Sequence, residues 1–164
     1  LLETLGQLQD LALPWSVWST VVLPRRVAGF SLDMLDMLAA TGQVVWIGRG
    51  ALGSKDGRIA LYLREHAREL LLPVAQDMPT EPIHELILAH LRARGASFLF
   101  ELEDAVRSAH ADTDSQTFRA ALWDLVWAGQ ITNDTFAPLR ALGQRARGSQ
   151  RQRGRSGAAM AFPL

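Results

Sequence analysis

Two apolar runs joined by a glycine-rich connector limit the folds open to this chain more than any other stretch. Val44-Val45-Trp46-Ile47 is β-branched and aromatic, and Arg58-Ile59-Ala60-Leu61-Tyr62-Leu63 alternates long apolar residues with others, the two-residue period of a strand. Ten residues, Gly48 to Gly57, lie between them; four are glycine and the last two are Asp-Gly, so the chain turns back as an antiparallel hairpin with a long tip. Just before the first run, Ser31 offers an N-cap and Asp33 a carboxylate near the positive end of the helix dipole. Leu32, Leu35, Leu38 and Ala39 recur at helical spacing until Gly42.

The connector also spells G-x-G-x-x-G, Gly48 to Gly53, the fingerprint of a dinucleotide site. That motif works only if a helix begins at its third glycine, where backbone N–H groups meet pyrophosphate. Here a turn and a strand follow, so the glycines are read as hairpin glycines. Gly53-Ser54-Lys55 likewise lacks the earlier glycine and the following helix of a Walker loop.

Upstream, Leu1, Leu2, Leu5 and Leu8 share one helical face, and Pro14 opens a second apolar stripe of Trp15, Trp18, Val21 and Val22 that Pro24 breaks. Helix, helix, helix, hairpin is the order of a winged-helix module, placed at residues 1–72, with Arg64 to Leu72 as a short helix after the wing. Pro73, Pro79 and Pro82 mark a linker at 73–79. A second module, 80–142, opens with Thr80 as N-cap and carries Ile83, Leu86, Ile87 and Leu91 on one face, then a helix from Leu99 to Ala109. Its third helix starts at Asp114 or Ser115 and places Phe118, Leu122, Leu125 and Val126 in the core until Gly129. Gln130 to Asn133 reads as one short strand without a partner, so this second wing is shortened or missing. The fold class is therefore mainly α with a small antiparallel β-wing: two tandem winged-helix modules plus a disordered basic tail at 143–164, too rich in Gln, Arg, Gly and Ser to pack.

The formal charge of zero conceals two opposed parts. Residues 1–139 carry 11 Lys and Arg against 17 Asp and Glu, a balance of −6, and residues 140–164 carry six arginines and no acid. The absence of cysteine excludes disulfides and thiolate-bound zinc, and His66, His84, His90 and His110 show no paired ligand spacing, so neither a metal nor another cofactor is expected. No signal peptide or transmembrane run is visible, which points to a cytoplasmic protein without a membrane partner. Beginning inside a helical pattern without methionine, the chain reads as part of something longer.

Several strings resemble the carboxy-terminal region of the bacterial large helicase-related proteins: Leu23-Pro24-Arg25-Arg26-Val27, Val44 to Gly53, Asp56 to Tyr62, Leu122 to Gly129 and Thr132 to Arg140. The resemblance covers most of residues 1–142. It implies tandem winged-helix domains appended to an ATP-dependent superfamily 2 DNA helicase involved in DNA repair, similar in architecture to tandem winged-helix DNA glycosylases. No Walker lysine loop and no Asp-Glu-x-His box occur in this sequence, so the ATPase of such a parent would lie elsewhere.

A winged helix that reads DNA presents Arg, Lys, Asn or Gln on its third helix. This one presents Asp33 and Asp36, read as solvated carboxylates that repel phosphates. Backbone binding is assigned instead to Arg25 and Arg26 before that helix, to Arg49, Lys55 and Arg58 in the wing, and to Arg145, Arg147, Arg151, Arg153 and Arg155 in the tail. All five tryptophans fall in apolar stretches and are read as packing residues rather than stacking platforms. The partners expected are duplex or forked DNA and other domains or copies of the parent helicase. The acidic third helix favours a second reading as a protein-binding scaffold, and a base-excising unit is the third, without a carboxylate that a motif can place.

Overall fold

The structure, a computed structural model, describes residues 1–71 and 79–144. The expected linker and the basic tail fall largely outside them. Helix α1 (Leu2–Gln7) buries Leu5 and leads to a two-residue strand, β1 (Leu13–Pro14). Pro14 stands at the helix start as expected, as the N-cap of the helix beginning at Trp15, and also pairs with Arg58 at the edge of the sheet, where its missing N–H leaves no ladder bond unmade.

The next helical segment, α2, covers residues 15–26 and corrects the expected break at Pro24. It has α-helical turns at Trp15–Val17 and Leu23–Arg26, on either side of a π-helical stretch, Trp18–Val22. Proline has no N–H and presses on the carbonyl four residues back, and the wider π turn makes room for it. The Ser19 hydroxyl donates to the Trp15 carbonyl at 2.9 Å and the Thr20 hydroxyl to the Ser16 carbonyl at 2.6 Å, so neither oxygen is left bare.

Helix α3 (Leu32–Ala40) starts from Ser31, whose hydroxyl makes no capping bond, and buries Leu35 and Ala39. Strands β2 (Val44–Leu52) and β3 (Asp56–Leu63) form the hairpin, with Trp46 opposite Leu61, and β1 completes a three-stranded antiparallel sheet in the order β1-β3-β2. The register slips between Gly48 and Ala51, where Gly50 adopts a positive φ of 112° that accommodates the bulge. Helix α4 (Arg64–Leu70) leaves the sheet directly.

The second half holds α5 (Pro82–Arg94), whose N-cap is Glu81 rather than Thr80, and α6 (Leu99–Ala109). Helix α7 (Ser115–Trp127) follows, capped by Asp114, which accepts from the Thr117 N–H at 2.7 Å. The strand expected at Gln130 to Asn133 is absent: a loop leads instead to α8 (Ala137–Gln144), and among the described residues the second half contains no strand. Its backbone groups therefore find partners in the first half. One continuous core runs from Leu5, Trp18 and Leu35 through Trp46 and Ile59 to Ile87, Phe118, Leu125 and Phe136.

Glycines at the hairpin permit this contact. A Cβ on Gly48 would lie 2.0 Å from the Val126 carbonyl oxygen, and one on Gly57 would lie 2.4 Å from the Trp127 ring. Any larger residue at position 48 would push α7 off the sheet.

Candidate nucleic-acid interface

The loop after α7 ties the halves together across α3 and β2. Trp46 Nε1 donates to the Thr135 carbonyl at 3.0 Å, the Thr132 hydroxyl donates to the Trp46 carbonyl, and Phe136 stacks on Trp15 with ring centroids 5.5 Å apart. Asp36, read from sequence as solvated, is the hinge of this contact. Its carboxylate accepts from the Phe136 N–H at 3.0 Å and from Arg140 at 2.6 Å. One flank of the helix that a generic winged helix would lay in the major groove is thus covered. On the exposed side, Asp33 and Met37 offer neither a base-edge donor nor a phosphate contact.

The cations assigned from sequence separate into three groups. Arg25 and Arg26 at the end of α2, Lys55 in the hairpin turn and Arg58 on β3 are all exposed, and none joins an ion pair among the described residues. Arg58 stands opposite Pro14, at the start of α2, and Arg25 and Arg26 stand at its end. At about 1.5 Å per residue that is on the order of 16 Å, a span of several phosphates along a duplex.

Arg49 differs from these. Its side chain is only 12% exposed, and its Nη2 donates to the Tyr62 hydroxyl at 2.6 Å and lies 3.3 Å from Asp10 Oδ1. The guanidinium is engaged inside the protein rather than presented to solvent. The tail arginines, Arg145, Arg147, Arg151, Arg153 and Arg155, lie outside the described residues.

A feature that sequence reading passed over lies between the hairpin tip and α7. An open groove of about 840 Å³ is lined by Ser54 on one side and by Ser115, Gln116, Arg119, Trp123 and Trp127 on the other. Trp123 and Trp127 stack with centroids 5.1 Å apart and planes at 23°. Trp15, Trp18 and Trp46 are buried, whereas these two are half-exposed. The signal was the four-residue spacing of Ser115, Arg119, Trp123 and Trp127, a stripe along one helix face beside the buried one. Two carboxylates also line the groove: Asp56 accepts from the Ser16 hydroxyl at 2.6 Å, while the exposed Asp124 has Oδ2 3.5 Å from Nε2 of the buried His84, a nitrogen without a hydrogen-bond partner among the described residues. Among the described residues no group of three or more His, Asp or Glu could hold a metal ion, and no helix is long and apolar enough to cross a membrane.

Residues 1–64 match the family model described as "Large helicase-related protein, winged-helix domain". The chain is 40% identical over 143 residues, 86% of its length, to the Escherichia coli (strain K12) protein named "Lhr helicase/uracil glycosylase". It is 38% identical over 159 residues, 93% of its length, to the Mycolicibacterium smegmatis protein named "Lhr helicase/ probable uracil glycosylase". The aligned parts make up 9% and 10% of these relatives, so the chain spans about a tenth of the curated proteins it matches.

Proposed function

Because residues 1–64 belong to the winged-helix domains of the large helicase-related proteins, we propose that this chain is a DNA-engaging accessory segment of an ATP-dependent helicase of DNA repair, working in the cytoplasm without chemistry of its own. The observation that carries the proposal is the set of four exposed cations, Arg25, Arg26, Lys55 and Arg58, without ion-pair partners among the described residues. Side chains of this kind neutralise phosphates and release counterions, which gives affinity without sequence readout. The acidic outward face of α3 supports the absence of base reading.

Titrating duplex, forked and single-stranded DNA across a salt series tests the proposal. Sequence-independent binding that weakens steeply with salt is the expected result; no binding to any DNA at low salt would overturn it. The names of the two relatives also carry uracil glycosylase. For this segment we propose no excision step: Asp56 is already hydrogen-bonded to Ser16, and the exposed Asp124 lies in an open groove rather than in a closed pocket for a flipped base.

A second reading, a docking surface for other domains or copies of the parent helicase, is favoured by Met37, 65% exposed on α3 beside the exposed Asp33. Light scattering of the chain alone, and of a Met37→Lys variant, tests it. A self-associated wild type and a monomeric variant would support it, and a monomeric wild type would remove self-association.

A further inference from the structure

We infer that the groove between the hairpin tip and α7 holds an unpaired nucleotide, its base stacked on Trp123 and its phosphate beside Arg119. The inference rests on the reading of this chain as a DNA-engaging segment and names a second, single-strand site within it.

The indoles are arranged as a layered platform. Trp127 lies against Gly57, where a Cβ would come within 2.4 Å of its ring, and Trp123 stacks on Trp127 at 5.1 Å. Trp123 also lines the groove and is only partly buried, so part of its indole is open to whatever enters. A large aromatic side chain held in place by a second ring loses little freedom when a base stacks on it, and stacking of this kind tolerates any base.

The charges fit a nucleotide better than a peptide or a purely apolar ligand. Arg119, one turn before Trp123, is exposed and in no ion pair among the described residues, and it lines the same groove, so a phosphate of a strand stacked on the indole has a cation beside it. Lys55, exposed, sits in the turn between Ser54 and Asp56, which both line the groove. Gln116 and Ser54 add neutral hydrogen-bonding groups suited to a base edge. Asp124 accepts donors but repels phosphate, which orients the strand with its backbone toward Arg119.

Intrinsic fluorescence of the full chain reads this site, because three of the five tryptophans are buried and the remaining pair forms the platform. An oligothymidylate of about ten nucleotides, long enough to cover a single-strand site, should quench the emission. An abasic strand of equal length should bind with little quenching. Trp123→Ala should weaken single-strand binding about 5- to 150-fold, from the usual value of stacking one base, while Trp123→Phe restores most of it. Arg119→Ala should weaken binding of both strands, and duplex binding through Arg25 and Arg26 should be unaffected by any of these changes.

Saturation by oligothymidylate without quenching, or single-strand affinity retained in Trp123→Ala, would overturn the inference while leaving duplex binding intact. Emission that shifts with protein concentration alone, accompanied by a dimer mass in light scattering, would overturn it in favour of a protein docked on the indoles. Failure to bind any DNA would instead remove the proposed function itself.

Discussion

Tyr62 is the only tyrosine in the chain, which makes its environment directly measurable. Its buried hydroxyl donates to Asp10 Oδ1 at 2.5 Å and accepts from Arg49 at 2.6 Å, and Asp10 reaches it from a backbone with a positive φ of 62°. Burial, and then the hydrogen bond to Asp10, raise the phenol's pKa above its ordinary value, against the opposing pull of Arg49. A raised folded value means that the phenol's contribution to stability is complete below about pH 10 and is lost as pH climbs through the folded value. In an alkaline absorbance titration the phenolate should therefore appear only above about pH 10, and a midpoint at the ordinary value would contradict this account. Arg49→Ala removes one member of the network. It should cost about 1–3 kcal/mol in denaturant unfolding and leave the salt dependence of DNA binding unchanged. A slope reduced by about one phosphate would show that Arg49 contacts DNA after all.

The hairpin works as an element because its glycines let another element approach. Gly48→Ala places a methyl group within the radius of the Val126 carbonyl oxygen, and this main-chain atom cannot rotate away. The substitution should cost about 1–3 kcal/mol, as overpacking in a filled interior does, and unchanged unfolding would mean that α7 does not rest on β2. Helix α3 is fastened to α8 in a comparable way. Asp36→Ala leaves the Phe136 N–H and the partly buried Arg140 without their acceptor, for an expected loss of about 1–2 kcal/mol in the same assay. These contacts show why only part of the design was legible in the sequence. The strand period at Arg58 to Leu63, the apolar helix spacings and the Asp114 cap are local patterns, and the structure follows them. The partner of Asp36 is 100 residues away, and the burial of Arg49 depends on Asp10, 39 residues earlier; neither has a local signature. Pro24 misled for the same reason, since a π turn is settled by neighbours that local rules do not see.

Across the whole molecule, one continuous core joins the two halves, so fluorescence and circular dichroism should report a single coincident unfolding transition, and two separated transitions would contradict that packing. The tail belongs to a different question. Arg140, counted from sequence with the basic tail, is fastened to Asp36 within α8, which leaves five arginines beyond Gln144. Ending the chain after Gln144 should flatten the log–log salt slope of duplex binding by up to about 4.5, at roughly 0.9 per phosphate, while leaving thermal unfolding nearly unchanged. Tighter binding after truncation would mean that the arginines fold back on the acidic body. The central claim is that the exposed cations of the first half track phosphates, and the salt slope of duplex binding tests it most directly. Replacing Arg25, Arg26, Lys55 and Arg58 together by alanine in the full chain should reduce that slope by about 3 to 4, with unfolding unaffected because all four are exposed. An unchanged slope in the fourfold variant would contradict the account.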